Sequence, residues 1–128
     1  MSNLCICNSG KLFALCCEPF LSGKEHAKTP VKLMRSRFSA FALGGFGQYL
    51  LETWSVSQRA GLSPDELSLR SIDWLNLEIV DKSQRGDHGM VKFKAYYCDE
   101  EGNKALHHER SDFERIGGRW FYVSGKIF

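Results

Sequence analysis

The chain has 128 residues, 43% of them hydrophobic and 25% charged, with a formal net charge of +2. That is room for one domain of about 100 residues and a small appendage, and it excludes a disordered, collagen-like or repeat protein. No apolar run reaches the ~18–20 residues that cross a bilayer.

The opening Met1-Ser2-Asn3-Leu4-Cys5 has neither a basic nor an apolar signal region, so the expected location is the cytoplasm, with no membrane partner. Six basic side chains face two acidic ones in residues 1–37. This excess is too small to argue nucleic-acid binding through counterion release.

Four of the five cysteines fall together as Cys5-Ile6-Cys7 and Cys16-Cys17, a C-x-C-x8-C-C pattern, and Cys98 stands alone. Two close pairs joined by a turn supply the four soft corners of a tetrahedron, so one structural zinc ion is expected, with no open position for a catalytic water. Asn8-Ser9-Gly10 is turn chemistry: Gly10 admits a positive φ and Asn8 can bond backbone locally. Adjacent Cys16 and Cys17 are poorly placed for a disulfide with each other. The pattern resembles the SEC-C zinc motif of the SecA translocation motor and many small proteins. Its commonest form has proline and glycine where this chain has Ile6 and Asn8, departures that touch the turn and not the ligands. The resemblance implies a knuckle that docks a protein partner.

Thr29-Pro30 opens a helix as N-cap and first residue. Met34, Phe38, Phe41 and Ala42 form its apolar stripe, and Gly44-Gly45 ends it. Arg35 and Arg37 flank that stripe on opposite sides, so the two cannot form one anion clamp. A second helix is expected from the spacing of Phe46, Tyr49, Leu50, Thr53 and Trp54. Ser63-Pro64-Asp65-Glu66 reads as a capping box opening a short third.

From Asp73 the period is two. Leu75, Leu77 and Ile79 alternate with polar residues; a turn at residues 85–89 follows; then Val91, Phe93, Ala95 and Tyr97 alternate. Further turns at 101–103 and Gly117-Gly118 separate strands over 104–116 and 119–128. The expected fold is α+β: a small N-terminal zinc knuckle over 1–23, a connector over 24–28, and helices packed on a curved four-stranded antiparallel sheet over 29–128.

Such a sheet with helices across its mouth resembles the nuclear transport factor two-like cone. The segments Leu33 to Phe41, Tyr49 to Trp54, His108 to Phe113 and Arg119 to Gly125 resemble the bacterial YchJ-like family, which joins a SEC-C knuckle to this cone. That resemblance brings no activity with it. Larger relatives carry a second SEC-C motif, which this chain, ending at Phe128, lacks; a function needing two knuckles would be absent or come from oligomerisation, and the sequence leaves the oligomeric state open.

On the strand over 104–116, His107, Glu109, Ser111 and Phe113 share the inward face, while His108 and Arg110 share the other. Two adjacent histidines pointing apart do not make a second metal site, and Cys98, with no histidine beside it, reads as an ordinary thiol. Arg35, Arg37, Tyr49, Trp54, Glu109 and Ser111 are the candidate cavity residues. Glu109 could form a buried ion pair with a helix arginine, bind a ligand or move a proton. Two functions follow: an adaptor whose knuckle docks the ribosome, a secretion chaperone or an acidic protein surface, its cone holding a ligand or dimerising; or a small-molecule carrier or enzyme using the cone.

Overall fold

The computed structural model describes residues 3–128. Met1 and Ser2, which begin the expected knuckle and the stretch read as lacking a signal region, lie outside the described residues. The knuckle holds a 3-10 turn, Phe13–Leu15, and helix α1, Glu18–Leu21. Helices α2 (Pro30–Leu43), α3 (Gly47–Glu52) and α4 (Pro64–Leu67) follow, then strands β1 (Asp73–Arg85), β2 (His88–Cys98), β3 (Lys104–Ile116) and β4 (Arg119–Ile127). The strands pair antiparallel in the order β1-β2-β3-β4, the meander expected from the alternation. Among the described residues no helix is long and apolar enough to cross a membrane.

α2 starts as its sequence directs: the Thr29 side chain accepts the Lys32 N–H at 3.2 Å, with Pro30 in the first turn. It is more deeply enclosed than a single apolar stripe requires, since Leu33, Ser36, Arg37, Ser39 and Ala40 are buried along with Met34, Phe38 and Ala42. Three neighbours account for this. The sheet takes the side of Met34 and Phe38, the knuckle takes Arg35 and Ser39, and α3 takes Ser36, whose Oγ lies 2.6 Å from the Tyr49 hydroxyl. Burying side chains such as Leu33, Leu50, Leu77 and Phe113 stabilises the fold by about 1.5–3 kcal/mol apiece relative to exposure.

Two expectations are corrected. The second helix stops at Glu52, because the backbone beyond it pairs with β4: Tyr122 N–H donates to the Thr53 carbonyl (2.8 Å) and Ser55 N–H to the Tyr122 carbonyl (2.7 Å). This short pairing covers part of an edge strand that would otherwise present unpaired backbone. Leu75 does not point inward. A bulge between Trp74 and Asn76 makes it the extra residue, 47% exposed, and turns Trp74 toward the core. Further irregularities, between Ile79 and Asp81 and where Asp112 and Phe113 meet β4, bend the sheet around α2.

The knuckle is not a free appendage. Cys5, Cys7 and Cys17 belong to the same buried cluster as Leu33, Phe38, Val91, Phe113 and Trp120, with Phe20 and Leu21 packed against it. Residues 24–28, read as a connector, run without helix or strand. Ala27 is nonetheless buried, and the Lys28 carbonyl accepts from Trp120 Nε1 at 3.3 Å.

Candidate metal centre and cone cavity

The sulfurs of Cys5, Cys7, Cys16 and Cys17 all lie within 4.8 Å of one another. Cys7 and Cys16 are 3.5 Å apart, and Cys16 and Cys17 are 3.9 Å apart. A tetrahedral shell with metal–sulfur bonds of about 2.3 Å has edges of about 3.8 Å, so the four side chains fit one metal ion. Local backbone sets this up. Asn8 and Gly10 both take positive φ, at 63° and 83°, and Cys5 N–H donates to the Lys11 carbonyl at 2.8 Å. The Asn8 side chain does not bond its own turn; its Nδ2 donates to the Leu77 carbonyl of β1 at 3.3 Å, fastening the knuckle to the sheet.

Side chains of α2 and of the knuckle's own turn complete the surroundings. Ser39 Oγ donates to Cys17 Sγ at 3.2 Å and lies 3.7 Å from Cys5 Sγ. Ser9 Oγ lies 3.1 Å from Cys16 Sγ. Arg35 Nη1 donates to the Cys7 carbonyl at 2.7 Å and stands 3.8 Å from its sulfur. These donors orient thiolates and offset their charge.

The neighbouring thiols of Cys17 and Cys5 hold Cys7 far below the usual thiol range, while the same crowding by Cys5 and Cys7, with burial, pushes Cys17 far above it. Burial raises Cys16 as well. Four thiols so close share their protons unequally, and a divalent cation is what allows all four to ionise together.

Arg35 is therefore a neighbour of the cysteines and not a cavity residue. Tyr49 also lies off the cone cavity, bonded to Ser36 behind α2, and burial pushes its hydroxyl up to about 12.

Arg37, Trp54, Glu109 and Ser111 do meet, around a cavity of about 230 Å³ between α2 and the sheet. Arg37 is 3% exposed and sits between the rings of Trp54 (4.7 Å) and Tyr122 (4.8 Å). Its Nη1 donates to the Leu50 carbonyl (2.8 Å) and to Thr53 Oγ1 (2.7 Å). Burial draws its pKa down to about 10, partly offset by Tyr122, Tyr49 and Glu109 nearby.

The ion pair between Glu109 and a helix arginine is not formed; among the described residues no arginine is an ion-pair partner of Glu109. Glu109 accepts instead from Ser111 Oγ (2.6 Å) and the Tyr122 hydroxyl (3.5 Å), and lies 2.9 Å from His107 Nε2. The carboxylate tucks against Gly125, where any Cβ would collide with it. Burial, then the charge of Glu109, pushes the Tyr122 hydroxyl up to about 12.

Tyr122, Trp74 and Phe93 complete the wall and were absent from the sequence-derived candidate set, as was Ser39 at the cysteines. Tyr122 lies in one of the segments that carry the family resemblance, which was the available signal for it.

A second concavity, an open cleft of about 530 Å³, separates the knuckle from the start of α2. Lys11, Lys28, Lys32, Arg35 and Lys82 line it against the single carboxylate of Glu25.

A four-cysteine SEC-C knuckle seated on a nuclear transport factor two-like cone is the class these features define. Residues 1–19 match the SEC-C motif, and residues 29–125 match the middle NTF2-like domain of YchJ. The chain belongs to the YchJ family, UPF0225.

It is 41% identical to a UPF0225 protein of Sodalis glossinidius, over 98% of this chain and 84% of that one. With a UPF0225 protein of Corynebacterium glutamicum it shares 39% identity over 99% of both. The solution structure of a SEC-C motif containing protein from Rhodopseudomonas palustris is similar, with a TM-score of 0.88 at 36% identity, covering 100% of this chain and 99% of that one. The crystal structure of a SEC-C motif containing protein from Psychrobacter arcticus gives 0.83 at 27%, covering 100% and 83%.

Proposed function

We propose that this chain is a zinc-stabilised docking protein of the bacterial cytoplasm, whose knuckle and adjoining cleft receive an acidic segment of a protein partner. Zinc is the metal that four thiolates in a closed tetrahedral shell select, and a closed shell makes its role structural.

The observation that carries the docking reading is the charge of the cleft. Five cations face one carboxylate, and Leu15, 74% exposed, stands at its edge beside Phe20 and Val31. A concave surface of one sign attracts and orients a partner of the other, and apolar contacts within it supply residence time.

Native mass spectrometry before and after a strong chelator tests the metal. One zinc, lost on chelation, is expected; metal-free protein with four freely alkylated thiols overturns it. Fluorescence anisotropy with a labelled Glu/Leu-rich peptide tests the cleft. Binding should weaken with salt, and Lys28→Glu/Lys32→Glu should cost about tenfold or more in affinity. Equal affinity for the wild type and the charge-reversed variant overturns the docking reading.

A further inference from the structure

The cone cavity holds an uneven pair of charges. Glu109 is supplied with partners: Ser111 and Tyr122 donate to one oxygen, and His107 Nε2 meets the other. Arg37, the more deeply buried of the two, is not. Both of its hydrogen bonds leave from Nη1; among the described residues none uses Nε or Nη2. Its guanidinium has rings on two sides, from Trp54 and Tyr122, and no carboxylate within ion-pair distance. Neither nitrogen is sealed from solvent, since His108 Nε2 is the one buried side-chain nitrogen or oxygen without a partner among the described residues, so these two adjacent donors of Arg37 are open to whatever enters the cavity.

The rest of the cavity is apolar and flat-sided. Met34, Phe38, Phe41, Trp74 and Phe93 line it, together with the small side chain of Ala95. Its volume of about 230 Å³ equals roughly eight waters at about 30 Å³ each, which suits a single ring bearing a short substituent.

We infer that the cone cavity binds a small single-ring carboxylic acid, its carboxylate paired side-on with Nε and Nη2 of Arg37 and its ring against Trp74, Phe93 and Phe38. The adjacent donors of a guanidinium match the two oxygens of a carboxylate, and a charge-assisted pair out of water is far stronger than one in it. The negative charge of Glu109 does not forbid this, because its oxygens are already engaged and the carboxylate is turned against Gly125.

Trp54 and Trp74 both line the cavity, so tryptophan emission reports its occupation. The experiment titrates the full chain with benzoate and with benzamide, which has the same ring and shape but no charge. Benzoate should saturate the signal and bind at least about tenfold more tightly than benzamide, the range expected of a charged hydrogen-bonded contact. Arg37→Lys keeps the charge but loses the paired donors, and should weaken benzoate about 10- to 100-fold. Ala95→Leu, which leaves Arg37 untouched and enlarges a side chain of the lining, should abolish binding while circular dichroism stays native. The inference is overturned by a wild type that gives no saturable response to benzoate. Equal affinities for benzoate and benzamide, or an Ala95→Leu protein that binds as the wild type does, overturn it as well.

Discussion

Ser39 Oγ lies 3.2 Å from Cys17 Sγ, so the helix that covers the sheet also holds the cysteine cluster. One hydroxyl thus links the cysteine cluster to the main packing of the fold. Groups that orient a ligand from behind typically affect metal affinity by about 10- to 100-fold. Ser39→Ala should release metal at least about tenfold more readily to a chromogenic chelator, with near-native circular dichroism before release.

Metal removal should loosen far more than the first seventeen residues. Cys5, Cys7 and Cys17 share a core with Leu33, Phe38 and Phe113, so their mutual repulsion or exposure after chelation acts on that core. The expected outcome is a thermal midpoint lowered by about 10 °C or more. Amide exchange should accelerate in α2 as well as in the knuckle. A midpoint unchanged by chelation would mean that the knuckle is seated without its metal.

Alkaline titration has a defined sign. Tyr49 and Tyr122 are pushed from 10 up to about 12, mainly by burial, so the folded state holds their protons where the unfolded state has lost them. The stability they contribute is complete below pH 10 and is lost as pH rises toward 12. Arg37, drawn down to about 10, acts in the opposite direction, one group against two. Phenolate absorbance should show two of the four tyrosines ionising late, together with unfolding. All four titrating near pH 10 in folded protein would contradict the burial of Tyr49 and Tyr122.

Gly125 leaves room for the Glu109 carboxylate behind the cavity. A Cβ there would meet the Glu109 carboxylate and the Tyr122 hydroxyl. Gly125→Ala should cost about 1–3 kcal/mol in denaturant unfolding through this crowding. Glu109→Gln, which nearly conserves volume, should cost less, and the reverse order would argue that charge rather than space governs the contact.

The clustering of four cysteines was legible because they sit in two local pairs, and local spacing limits where four sulfurs can go. The strands were legible because Val91, Phe93 and Ala95 alternate cleanly. Leu75 was misread because a bulge is a choice between competing backbone hydrogen bonds, and nothing in the apolar pattern marks where the extra residue falls.

The end of α3 was misread for a related reason: Thr53 and Ser55 find partners on a strand about seventy residues away. Arg37 and Glu109 do line one cavity, but an ion pair of Glu109 with a helix arginine, one of the readings the sequence offered, is not formed among the described residues, since opposite charge alone does not reveal that Leu50, Thr53, Ser111 and His107 stand closer. Tyr122, the group that touches both, is invisible to any reading that considers one element at a time.

The seating of the knuckle has a consequence for biosynthesis. Its cysteines are translated well ahead of the sheet: Arg35 and Ser39 of α2 follow them closely, but Asn8 waits for Leu77, and the Lys28 carbonyl waits for Trp120. Chains are made at about 5–20 residues per second, so for several seconds the four thiols exist with no sheet to rest on. The knuckle is made well before the sheet that completes its seat, and in that interval the nascent thiols are open to whichever metal ion or oxidant reaches them.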